Sequence, residues 1–173
     1  QLIKQQKEAV TKPAIFNFIV QKESRSITVE RSFNAPLDPV WAAWPEADIL
    51  CKWWAPKPYE CVIKSLDFRA GGRWLYYMQV PQGDRHWCYF DYHTIRPKSY
   101  FSGSDAFCDE NGVANNIKSK ASWEVTFSNG LGHTMVRVVM HFASPTDLDQ
   151  IVAMGFKDAF TMGLEQLDEL LTA

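Results

Sequence analysis

The feature that most constrains this chain is a change of period. Between Tyr59 and Phe142 almost everything reads as strand, several strands with apolar residues at every second position; after Ser144-Pro145-Thr146 apolar residues recur at every third or fourth. Alternation marks strands with one buried face, and the longer spacing marks one stripe of a helix. The first segment is broken by Gly71-Gly72, Pro81-Gln82-Gly83-Asp84, Arg96-Pro97, Asp109 to Gly112 and Asn129-Gly130. All are turn formers, so roughly six antiparallel strands are expected there. Their stripes are Trp74, Tyr76, Met78 and Val80; Trp123, Val125 and Phe127; and Val136, Val138, Met140 and Phe142, with Arg137 and His141 opposite the last. In the final segment Leu148, Val152, Phe156, Phe160, Gly163, Leu167 and Leu170 form the apolar line. They predict one helix of about 25 residues. Asp147, Asp149, Lys157, Asp158, Glu165, Gln166 and Glu169 are assigned to its wet side.

The earlier part of the chain supplies the remaining elements. Phe16–Val20 and Ile27–Phe33 read as a hairpin across the polar link Lys22 to Arg25. Ile27, Val29, Arg31 and Phe33 share one face, and the arginine predicts a strand end near solvent. Asp38-Pro39 reads as an N-cap followed by a first helical proline, placing Val40, Trp41 and Trp44 on one side of a short helix. Pro45 limits it, a second short helix covers Glu46 to Lys52, and Trp53 to Pro58 closes the region as an aromatic, proline-stiffened loop. Residues 1–13 read as an extension with a loose helix over residues 2–11, stopped at Pro13, and residues 14–173 as a single domain. The class is therefore α+β. The one helix long enough to cover the sheet would leave concave apolar space beneath it, where small ligands usually bind.

Composition excludes several alternatives. Hydrophobic residues make up 46% of the chain and charged residues 22%, which excludes intrinsic disorder. No apolar run approaches the ~20 residues of a membrane span. The 18 Lys and Arg are scattered and the net charge is −2, so no basic stripe marks a nucleic-acid partner. Cys51, Cys61, Cys88 and Cys108 are isolated and read as reduced, hydrophobe-like thiols. With no signal-like run at Leu2 to Glu8, a cytoplasmic protein is expected.

Candidate chemistry is sparse. His86, His93, His133 and His141 show no metal-ligand spacing, and neither metal nor cofactor is expected. No G-x-S-x-G elbow occurs. Asp67, Asp91 and Glu124 are the carboxylate candidates. Glu124 has outward parity, whereas Asp91 shares parity with Tyr89 and His93, leaving an Asp–His pair or a solvated face. Seven Trp, six Tyr and eleven Phe carry the stronger signal. Trp41, Trp53, Trp74, Tyr76, Met78, Tyr92, Trp123, Met140, Phe156 and Phe160 are the candidate cavity lining, against the plainer reading that they fill a core.

A string of landmarks resembles a known family: Asn34-Ala35-Pro36, Val40-Trp41-Ala42-Ala43-Trp44, Pro45-Glu46, Trp53-Trp54-Ala55-Pro56, Asp67 to Trp74, Thr94-Ile95-Arg96-Pro97, Trp123 to Phe127, Met154-Gly155-Phe156 and Leu164 to Leu171. From about Ile27 to Leu171 the chain is similar to the AHSA-type branch (activator of heat-shock-protein-90 ATPase homologue) of the START-like, or SRPBCC, superfamily. The resemblance implies a helix-grip (Bet v-like) fold, a curved seven-stranded antiparallel sheet around a long C-terminal helix; the Phe16–Val20 strand of this chain adds to that minimal pattern and is expected to extend one edge. Thr94 stands where many relatives carry Glu, which weakens any expectation of carboxylate chemistry in the cavity, and Phe160 where many carry Trp. The resemblance implies binding of a small hydrophobic or aromatic molecule. Its alternatives are a protein-interaction module of the co-chaperone, stress-response kind, or an enzyme acting on a cyclic or polyketide-like substrate. A protein partner or homodimer is compatible with an exposed edge strand.

Overall fold

The structure, a computed structural model, describes residues 15–173. The helix expected over residues 2–11 and the boundary at residue 13 lie outside the described residues. The strands are β1 (Phe16–Gln21), β2 (Ser26–Phe33), β3 (Glu60–Leu66), β4 (Arg73–Gln79), β5 (Arg85–Arg96), β6 (Tyr100–Phe107), β7 (Lys120–Asn129) and β8 (Thr134–Phe142). The helices are α1 (Leu37–Ala42), α2 (Ala47–Trp53), α3 (Pro145–Ala153) and α4 (Phe156–Thr172).

All eight strands form one antiparallel sheet in the order β1-β2-β8-β7-β6-β5-β4-β3. Strands β3 to β8 run as a meander. The β1–β2 hairpin then docks beside β8, so that Val29 lies opposite Val138, which lies opposite Val125 of β7. The strand stripes behave as their alternation requires. Trp123, Val125 and Phe127 are buried while Ser122, Glu124 and Thr126 are exposed, and Val136, Val138, Met140 and Phe142 are buried beside them. The curved sheet turns this apolar face toward α3 and α4, and α1 and α2 close one end of the groove.

Four local expectations are corrected. Helix α1 begins at Leu37, with Pro36 at the N-cap and Asp38 inside the first turn. Proline already holds the extended backbone a cap requires, so Asp38 is not needed there. Arg31 does not sit at a wet strand end: its side chain is 11% exposed and lies 3.4 Å from Asp168 of α4. The single long helix is two. Gly155 adopts φ +84°, a left-handed conformation that cannot continue a helix. Ser144 starts α3, its Oγ accepting from Asp147 N at 3.1 Å, and α4 starts afresh after Gly155.

The break also shifts which residues face inward. Leu148, Phe160, Leu164 and Leu167 are buried, whereas Val152 and Leu170 are 45% and 39% exposed. Gln166, assigned to the wet side, is the fourth correction. It is buried and tethers α4 to the segment after α2: Nε2 donates to Trp53 O (2.9 Å) and Ala55 O (2.8 Å), and Oε1 accepts from Lys57 N (2.9 Å). Gly163 makes that approach possible, because a Cβ there would lie 3.2 Å from Trp53 O and 3.3 Å from Trp54 O.

Candidate functional site

The groove between sheet and helices has two unlike halves. Under α1 and α2 the aromatic rings interlock edge to face: Trp44 on Trp53 (4.8 Å between centroids), Trp41 on Phe127 (5.0 Å), Phe68 on Tyr92 (4.7 Å). Such pairs add to the large area each ring buries, and Trp53 Nε1 donates to Ala43 O at 2.9 Å. Only about 10 Å³ of void remains there. Under α3 and α4 the same kind of side chain leaves space. A cavity of about 130 Å³ is walled by β4 to β8, by the segment after α2 and by both C-terminal helices.

Trp54 divides the halves. Its ring touches Trp44 and Trp53 on one side and Trp74, Trp123 and Phe160 on the other, at 4.9–6.3 Å. Its Nε1 donates to Tyr76 Oη at 3.1 Å. Trp74 stacks on Tyr76 (4.1 Å, 18°), and Phe156 on Phe160 (5.2 Å, 15°), giving the cavity flat aromatic walls.

The polar lining is small. Tyr76 and Cys88 project inward from β4 and β5, and burial raises both; the Cys88 thiol is pushed up to about 12. A thiol held neutral in this way is a small hydrophobe rather than a nucleophile. Asp105 projects inward from β6, in step with Phe101, Gly103 and Phe107. Its carboxyl accepts a hydrogen bond from Ala121 N at 3.1 Å. Burial raises it from 3.8 to about 7, against the lowering effects of the Trp123 indole and of backbone N–H groups. The Trp123 Nε1–H draws that carboxyl's pKa down without reaching hydrogen-bond geometry, and it is a buried donor without a partner. Ser119, at the wall beside Lys120, bonds to Gln150 Oε1 and Asp147 O of α3.

Of the ten residues singled out from sequence, Tyr76, Met78, Trp123, Met140, Phe156 and Phe160 stand on the cavity wall. Trp41 and Trp53 do not; they are buried in the interlocked half. Trp74 and Tyr92 flank the small void instead. Sequence reasoning missed Trp54, taking its neighbour Trp53, and missed Asp105. The catalytic pair Asp91–His93 is not formed. Asp91 takes a bidentate hydrogen bond from Arg73 (2.6 and 3.0 Å), and the exposed His93 ring sits 3.4 Å from Ser104 Oγ. The β5 bulge between Tyr92 and Thr94 shifts the register there. Asp67 pairs with Arg69 at 2.7 Å, and Glu124 lies exposed beside His141 and the Tyr100 hydroxyl.

An antiparallel sheet curved around C-terminal helices with an apolar space between them defines a helix-grip, START-like domain. Residues 34–172 match the family described as Activator of Hsp90 ATPase homolog 1-like protein, and the chain belongs to that family. Protein Ms6760 from Mycobacterium smegmatis has a similar structure, 27% identical, with a TM-score of 0.85 over 93% of this chain and 98% of that one. A protein from Arthrobacter aurescens is 24% identical, with a TM-score of 0.85 over 90% and 91%. The AHSA1 protein from Silicibacter pomeroyi shares the fold at 17% identity and a TM-score of 0.69, over 85% and 97%. No curated protein matches the chain at a significant level. No helix among the described residues is long and apolar enough to cross a membrane.

Proposed function

We propose that this protein is a binding domain that takes up a small hydrophobic or aromatic molecule between the sheet and its C-terminal helices. The observation that carries this reading is the contrast within one groove: comparable aromatic side chains close one half to about 10 Å³ and leave about 130 Å³ in the other. Empty apolar space forfeits dispersion contacts that a ligand restores. The size limits the occupant. Apolar cavities of about 150 Å³ take up benzene, so one aromatic ring fits, and a drug-sized molecule of the usual ~300 Å³ site does not. Native mass spectrometry of the purified protein, with an NMR titration by toluene, tests the reading. Saturable shifts confined to the Trp54 and Trp123 indole N–H signals and the Met140 methyl are expected, and Ala159→Leu, which fills the cavity, should abolish them. The absence of any saturable shift, with no retained molecule, would overturn it.

A further inference from the structure

We propose that the cavity selects a small aromatic amine, with its ring between the aromatic walls and its ammonium on the carboxylate of Asp105. This rests on the cavity being a binding site, and it assigns the chemistry that site prefers.

Asp105 is the one acidic residue on the cavity wall among the described residues. An ionised carboxylate has about four acceptor positions. Here Ala121 N fills one, with only the residue's own backbone N–H and the Trp123 indole nearby. The remaining acceptor capacity faces an apolar space. Burying such a group is costly unless a cation or donors meet it, so the site is poised for a positively charged hydrogen-bond donor. The walls favour the same partner. Trp54, Tyr76, Trp123, Phe156 and Phe160 present rings whose negative faces attract cations, most strongly where water is excluded.

The groups that face Asp105 leave this role open. Tyr76 on β4 and Cys88 on β5 are held neutral by burial; beyond them, off the cavity wall, the Cys61 thiol on β3 is likewise pushed up to about 12. Lys120 on β7 is the one cation at the wall among the described residues, and its Nζ is turned to Asn116 Oδ1 at 2.8 Å. The helices contribute Ile151, Phe156, Ala159 and Phe160, none of them titratable.

The test compares benzylamine, benzyl alcohol and phenylacetate on the full chain at pH 8, read from the Trp54 and Trp123 indole N–H signals. Benzylamine is expected to bind at least ~10-fold more tightly than benzyl alcohol, the range of one charge-assisted hydrogen bond. Phenylacetate is expected to be excluded. Asp105→Asn should bring benzylamine down to the alcohol's affinity while leaving the alcohol bound, which shows that the cavity is intact. Amine binding should also weaken as pH falls below about 7 and the carboxyl is protonated, and again above the amine's own pKa, giving a bell-shaped profile. Equal affinities for amine and alcohol, or an amine preference that survives Asp105→Asn, would overturn the amine assignment while leaving the cavity reading intact. Binding by none of the three probes would overturn both.

Discussion

The two halves of the groove are built from the same kinds of side chain and reach opposite results. Under α1 and α2, Trp41 and Trp44 meet Phe127 edge to face, Trp53 meets Trp44 in the same way, and little space remains between the rings. Under α3 and α4, Trp123, Phe156 and Phe160 line a space they do not fill, with Asp105 among them. Aromatic content therefore does not decide whether a core is solid or hollow. What decides it is how closely the covering elements follow the sheet: α1 and α2 do so, whereas α3 and α4, set apart at Gly155, leave space.

Substitutions break this comparison most sharply at Trp53, which is 0% exposed. Trp53→Ala should cost about 3–5 kcal/mol by opening a void in the solid half. Met78→Ala, on the half-buried wall of the hollow half, should cost about 1 kcal/mol and enlarge the cavity. Urea denaturation of both variants gives the difference, and equal losses would erase the distinction. Gln166→Ala comes next. It leaves Trp53 O, Ala55 O and Lys57 N without the tethering amide, and about 3 kcal/mol should be lost if the tether fixes Trp54 in place. A smaller contrast comes from adding volume. Ala43→Leu, at a position 0% exposed in the solid half, should cost about 2 kcal/mol through overpacking, whereas Ala159→Leu should change stability by less than about 1 kcal/mol. Thermal melts read both.

The last expected effect is pH-dependent. The folded protein holds a proton on Asp105 up to about 7, whereas the unfolded chain releases it near 3.8. Burial of this group therefore costs nothing below about pH 4, and the cost grows as pH rises toward 7. Asp105→Asn should stabilise the unliganded protein by about 1–2 kcal/mol at pH 8. That is less than the full shift implies at about 1.4 kcal/mol per unit, since the residue is only half-buried. The advantage should vanish by pH 4, so a gain of equal size at both pH values would contradict the assignment.

Much of the sheet is legible in the sequence because β7 and β8 alternate without interruption and their turns carry glycine. The pairing of β1 with β2 is legible from two β-like runs joined by the short polar link Lys22 to Arg25. The helix break is not, since Gly155 lies between apolar residues at helical spacing and periodicity carries no information about φ. Trp53 and Trp54 are adjacent and chemically identical, so only the exit angle of α2 decides which one meets the cavity. Gln166 reads as a surface residue because its partners are backbone groups 109 to 113 positions away. Asp105 was hidden in a stripe whose other members include Gly103, so β6 offers no clean apolar alternation. The signal that would have found it is parity with Phe101 and Phe107.

The left-handed glycine at 155 has one more consequence. It turns the floor of the cavity into a hinge-joined pair of plates: Ile151 belongs to one, and Phe156, Ala159 and Phe160 to the other. A single cylinder would offer a molecule one line of contact, whereas two plates meeting at a joint can grip a flat ring by its edge and its face together. The shape of the compartment thus owes something to one backbone torsion as well as to the side chains that line it.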